Sequence, residues 1–235
     1  MRSLHCPASC LVALVILAGC ASTEMSNRQY YEGPQLARPD HIIIYDFTAD
    51  PAAVPANSAF AAQATKAPPP TPEQAELSRK LGAEVANDLV ADLQGMGLPA
   101  VLAADQPSPQ VNDIVIRGYF VSVDEGSAAE RVLIGFGAGA AELSTAVEGY
   151  QMTEQGLRLL GSGDFKSGGG KLPGVVLPAA VLAATANPIG LVVGGAIKAT
   201  GEATGSATIE GSARRTADAI AEQLREAAQR QGWIS

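Results

Sequence analysis

VNDIVIRGYFVSVD, residues 111–124, alternates in polarity and shape. Ile114, Ile116 and Phe120 fall on one side of an extended chain, and Val115, Arg117, Tyr119, Val121 and Val123 on the other. Successive side chains of a strand point to opposite faces, so this period of two predicts a strand with one face in a core. Two further runs follow it, ELSTAVEGYQMT (142–153) and LRLLGSGDFK (157–166). Glu154-Gln155-Gly156 between them reads as a hairpin turn.

Upstream, DHIIIYDF (40–47) is a β-rich apolar run short enough for a fully buried strand. TADPAAVPANSAFAAQATKAPPP (48–70) is a long loop dense in Pro and Ala, a length that marks a functional or a disordered segment. Thr71-Pro72-Glu73-Gln74 then opens a helix: Thr71 caps, Pro72 suits the first helical position and Gln74 completes a capping box. Leu77, Leu81, Val85, Leu89, Leu93 and Met96 form one apolar stripe, and Gly95 and Gly97 stop the helix. PAVLA (99–103) reads as a short edge strand. From Ser212 the helical period returns, with Ala217, Ile220, Ala221, Leu224 and Ala228 on one stripe and Glu226 four residues before Arg230. Gly232 ends this helix, and Trp233 and Ile234 fold back onto the core. A run of strands flanked by helices predicts an α+β two-layer sandwich. The expected sheet is small and mostly antiparallel, with two amphipathic helices on one face.

GVVLPAAVLAATANPIGLVVGGAI (174–197) carries no charge and is long enough to span a bilayer as a helix. Pro178 and Pro188 interrupt it, Thr185 and Asn187 sit near its middle, and its Ala, Gly and Val content gives weak insertion energy. It reads as an apolar Gly/Ala-rich helical hairpin, 175–186 and 188–200, inserted at 174–204. Gly190 and Gly194, four apart, allow close backbone approach. Packing on its own domain, insertion into lipid or a partner, and disorder are the three readings it allows. A membrane β-hairpin would require alternating polar residues, which this stretch lacks.

The first residues are a leader. MRSLH carries Arg2, and CLVALVILAG (10–19) is an apolar run too short to cross a membrane. It ends in Leu17-Ala18-Gly19-Cys20, which resembles the bacterial lipobox, in which the cysteine is diacylated and the chain is cut before it. The expected organisation is a signal peptide at 1–19, a flexible tether at 20–39 and a single α+β domain at 40–235. Cys6 and Cys10 leave with the leader, so the mature chain has no disulfide and Cys20 is the lipidation site. Several acyl chains make attachment effectively permanent. By the general behaviour of such lipoproteins, Ala21 after the cysteine implies the outer membrane, facing the periplasm.

The charge balance is acidic, 16 Lys+Arg against 24 Asp+Glu, with no basic stripe. Nucleic acid is therefore not an expected partner, because phosphate contacts need clustered cations. No metal or cofactor motif is present. His41 has no partner at ligand spacing. GFGAGA (135–140) lacks the third glycine of a dinucleotide loop, and in SGGGKL (167–172) Leu172 stands where a phosphate loop needs Ser or Thr. No GxSxG elbow exists, and Asp46, Asp50, Asp124 and Glu125 read as solvated strand ends.

RPDHIIIYDF, DIVIRGYFVSVDEG, RVLIGFGAGAAEL and the closing RTADAIAEQL…QGW together resemble an uncharacterised bacterial lipoprotein family, a domain of unknown function. The resemblance covers nearly all of the mature chain and brings no activity with it. More distantly, the order of elements looks like the periplasmic domain of the curli secretion-channel lipoprotein, which implies envelope assembly, partner binding and oligomerisation. The expectation is a non-enzymatic, lipid-anchored envelope protein that contacts an envelope partner or its own copies. Phe136 in the Gly-rich loop and Pro188, Gly190 and Gly194 in the hairpin are the candidate contacts. The alternatives are a membrane-inserting, secretion-channel-like oligomer and an envelope hydrolase using the strand-end carboxylates.

Overall fold

The computed structural model describes residues 22–56, 58–64, 69–105, 108–125, 141–168 and 208–235. The fold is mixed α+β, one six-stranded sheet with two long helices and no closed barrel. The strands are β1 (Ser22–Gln29), β2 (Ile42–Ile44), β3 (Ala100–Leu102), β4 (Ile114–Asp124), β5 (Glu142–Thr153) and β6 (Gly156–Gly168). The helices are α1 (Ala61–Ala64), α2 (Pro72–Gly95) and α3 (Ile209–Arg230). Across the sheet the order is β1-β6-β5-β4-β2-β3.

Pairing is antiparallel from β1 through β4 and parallel from β4 through β2 to β3. The expected mostly antiparallel sheet is thus a mixed one. The parallel half follows from connection length: α2 carries the chain from β2 to β3, and a crossover of that kind delivers a parallel neighbour. β2 is buried at all three positions, which suits a short strand covered on both faces.

The larger correction is at the amino terminus. Residues 22–29, expected as tether, form β1, which pairs with β6 from Ser22↔Gly168 to Gln29↔Ser162. The segment after it is docked as well. Leu36 N–H donates to Gln231 Oε1 at 2.6 Å, and Trp233 Nε1–H donates to Leu36 O at 3.1 Å. The folded body therefore includes residues 22–39.

α2 begins as its sequence requires. Gln74 N–H donates to Thr71 Oγ1 at 3.3 Å and Thr71 N–H to Gln74 Oε1 at 2.9 Å, a reciprocal capping box. Leu81, Val85, Leu89 and Leu93 are buried, and the helix stops at Gly97, where φ is +78°. α3 buries Ala213, Ala217, Ile220, Ala221 and Ala228. These two stripes close on Ile42, Ile44, Ile114, Ile116, Phe120, Leu143, Val147 and Phe165 in one core. Both helices thus lie against the same sheet face.

β4 departs from strict alternation. Its register with β5 shifts between Phe120 and Ser122, leaving Val121 58% exposed. A bulge absorbs one residue and flips the strand beyond it. Val123, expected on the face opposite Ile116, therefore packs against the helix-side core.

Phe47, 1% exposed, sits where β2, α2 and β4 meet. A Cβ on Gly82 of α2 would come within 1.8 Å of the Phe47 carbonyl oxygen, and one on Gly118 of β4 within 2.0 Å of the Phe47 ring. Two missing side chains let the helix close on the Phe47 backbone and the strand on its ring.

Candidate functional site

Three places hold features beyond a filled core. The first is the end of the sheet where β1 starts. Ser22 pairs with Gly168, Gly168 with Glu142, and Glu142 with Asp124, so four strand ends stand in one row. α3 begins beside this row: Arg215 Nη2 donates to Gly168 O at 3.0 Å and Ser212 Oγ to Ala141 O at 3.3 Å. Thr23, Ser167 and Thr216 link their hydroxyls across β1, β6 and α3 at 2.8 and 2.7 Å. Residues 1–21, 126–140 and 169–207 all join the described body here. Cys20, Phe136, Pro188, Gly190 and Gly194, with the expected signal peptide and hairpin, lie outside the described residues.

At the other end of the sheet is a pocket of about 160 Å³ between the sheet and the last turns of α3. Its floor contains three glycines, Gly149, Gly161 and Gly163. Gly149 pairs with Gly161 and Val147 with Gly163, so the glycines sit side by side on β5 and β6. A Cβ at Gly149 would meet only Ile116 Cδ1, at 3.5 Å. Ile42, Ile114, Leu224 and Trp233 line the walls. Arg28, Tyr30 and Arg230 line it as well and are exposed. Both guanidinium groups lie over the Tyr30 ring, 5.3 Å and 4.8 Å from its centroid, within cation–π range. Arg28 also hydrogen-bonds the Tyr30 hydroxyl and the Met25 sulfur. Glu226 stands 3.8 Å from Arg230.

On the sheet face away from α2 and α3, Glu148 is fully buried. Its carboxylate accepts from Ala59 N–H at 2.8 Å and from the Tyr150 hydroxyl at 2.6 Å. Burial, then the hydrogen bond to Glu148, pushes the Tyr150 pKa up; burial and the charge of Glu148 do the same for Tyr119. Phe60 covers Tyr119 and Ala146, so the Pro/Ala loop serves as a lid on this face. A phenol whose folded pKa is raised stabilises the fold fully below its unfolded value near 10, and that contribution is lost as pH rises toward the folded value. Stability is therefore expected to fall above about pH 10, with Tyr119 and Tyr150 ionising only as the chain unfolds. Tyrosinate absorbance and circular dichroism followed together in an alkaline titration check this, and ionisation of both phenols before unfolding contradicts it.

Among the described residues the strand-end carboxylates form no group of three or more that could hold a metal ion. Asp50 accepts from Ala52 N–H at 2.9 Å and caps the 3-10 turn at Pro51–Ala53, while Asp46, Asp124 and Glu125 are exposed. His41 is tied to Asp113, 3.2 Å from its Oδ1. Asp113, 1% exposed, also accepts from His41 N–H and Gln110 N–H and so pins the starts of β2 and β4. Sequence reading missed Asp113, Glu148 and the pocket. Asp113 carried a signal, a lone acid directly before an apolar alternating run; the pocket's glycines carried one only once β5 and β6 were aligned. Among the described residues no helix is long and apolar enough to cross a membrane.

No curated protein matches the chain. Among solved structures it is similar to the PelC dodecamer from Paraburkholderia phytofirmans in two crystal forms, at a TM-score of 0.34 for each. One match has 15% identity and covers 62% of this chain and 80% of the other; the second has 14% identity and covers 64% and 83%. A family model matches residues 42–186, from β2 through β6 and on to residue 186. The chain belongs to that family, described as Domain of unknown function (DUF4410).

Proposed function

We propose that this is a lipid-anchored protein of the bacterial envelope that acts by protein contact, without catalysis, from a body held directly at the membrane. The observation that supports this reading is the row Ser22, Gly168, Glu142, Asp124. The leader with Cys20, the Gly-rich loop and the apolar stretch each contain a long uncharged run, at 3–20, 132–140 and 172–197, and all three segments join the body at that row. With only Ala21 between Cys20 and β1, acylation of Cys20 leaves no room for a tether. The body then stands end-on, with the row toward the bilayer and the pocket away from it. Confinement in one orientation raises the effective concentration of any envelope partner or second copy within reach.

Palmitate labelling with membrane fractionation tests the anchor. The wild-type chain is expected to be labelled and membrane-bound, and Cys20→Ser to lose both properties; a wild type without label overturns the reading. Orientation has its own readout in vesicles containing brominated lipid. Trp233, the chain's single tryptophan, is expected to stay unquenched, whereas a tryptophan placed by Glu142→Trp is quenched.

A further inference from the structure

We propose that the pocket between Gly149, Gly161, Gly163 and the end of α3 binds the tail of a single-chain anionic amphiphile, a fatty carboxylate, with its headgroup at Arg28 and Arg230. Strand interiors disfavour glycine, and Gly149 leaves open on the pocket floor the space a side chain would fill, whereas β1 already covers its two neighbours, with the Gln29 carbonyl oxygen over Gly161 and the Met25 methyl over Gly163. At Gly149 nothing steric forbids a side chain, since an added Cβ makes an ordinary 3.5 Å contact. An apolar cavity of about 150 Å³ takes a benzene-sized guest, so 160 Å³ holds a short run of methylenes. The rest of the ligand must emerge past the exposed rim.

The rim chooses the headgroup. In a chain of net charge −8, two guanidinium groups meet at the mouth of an apolar hollow. Arg230 has Glu226 nearby, but among the described residues Arg28 meets no carboxylate. The mouth therefore carries net positive charge, complementary to a carboxylate and repulsive to a cationic head. Along β5 it lies seven residues from Glu142, about 24 Å at 3.4 Å per residue. A ligand in it comes from the surrounding solution or a partner, not from a bilayer at the row of strand ends. The pocket is independent of whether Cys20 is acylated.

Trp233 lines the pocket and reports on it directly. The full chain, in phosphatidylcholine vesicles, is titrated with bromine-labelled decanoate, decanol or decyltrimethylammonium while tryptophan emission is read. Saturable quenching by the decanoate is expected, with the neutral and cationic analogues weaker by about tenfold or more. Gly149→Leu, which fills the hollow, abolishes the saturable phase, and Arg28→Gln with Arg230→Gln brings the decanoate to the level of decanol. Should Gly149→Leu lose its cooperative thermal transition, Gly149→Val carries the same test. Quenching that is absent, indifferent to head charge, or unchanged in the filled variant overturns the proposal.

Discussion

Phe47→Ala is expected to lower unfolding free energy by about 4 kcal/mol, within the range for truncating a buried phenylalanine. The ring is 1% exposed and lies 6.1 Å from the Phe120 ring. Its site has little freedom to collapse, because Gly118 already brings strand backbone against the ring. The cost should sit at the upper part of the usual range for that reason. Urea unfolding reads it as a lower midpoint at unchanged slope. A loss under about 1 kcal/mol would mean that the packing around Phe47 relaxes readily.

Gly82→Ala is the second large effect, and its sign is unusual. In an exposed helix interior this change stabilises by roughly 1 kcal/mol through helix propensity. Here the new methyl would stand 1.8 Å from the Phe47 carbonyl oxygen, at a place where the two backbones are already joined by Phe47 N–H donating to Gly82 O at 3.3 Å. Neither backbone can swing aside as a side chain can. α2 must lift from β2, and a loss of about 3 kcal/mol is expected, as for an overpacked core. Gly118→Ala gives the contrast, since its clash is with the Phe47 ring alone. In a double-mutant cycle with Phe47→Ala, Gly118→Ala should be strongly coupled and Gly82→Ala nearly additive.

What the sequence disclosed depended on how far a signal reaches. α2 was legible because its cap, proline and stripe lie within one local segment. The β5–β6 hairpin was legible because Gly156, at φ +107°, sits where the turn needs it. β1 was not, since STEMSNRQ offers Met25 alone to the core and takes its strand geometry from β6. The parallel half of the sheet depends on where α2 returns the chain, which no local pattern states. The bulge at Val121 hid for a related reason: alternation continues through it in letters while the faces exchange. The pocket needed alignment of β5 with β6 before three scattered glycines became one floor. The contact candidates Phe136, Pro188, Gly190 and Gly194 rest on composition alone, and the geometry reaches only the strand ends from which their segments leave.

The pairing of β1 sets an order of events during synthesis. Thr23 meets Ser167 across 144 residues of chain, so the first of the described strands must wait for the last of them. Domains emerge amino terminus first, and closing so long a loop comes late. In the interval β1 is an unpaired ribbon. Its run of Ser, Thr, Glu, Asn, Arg and Gln gives a neighbouring nascent chain little to hold. The same polarity that conceals the strand from a reader keeps it from premature partners.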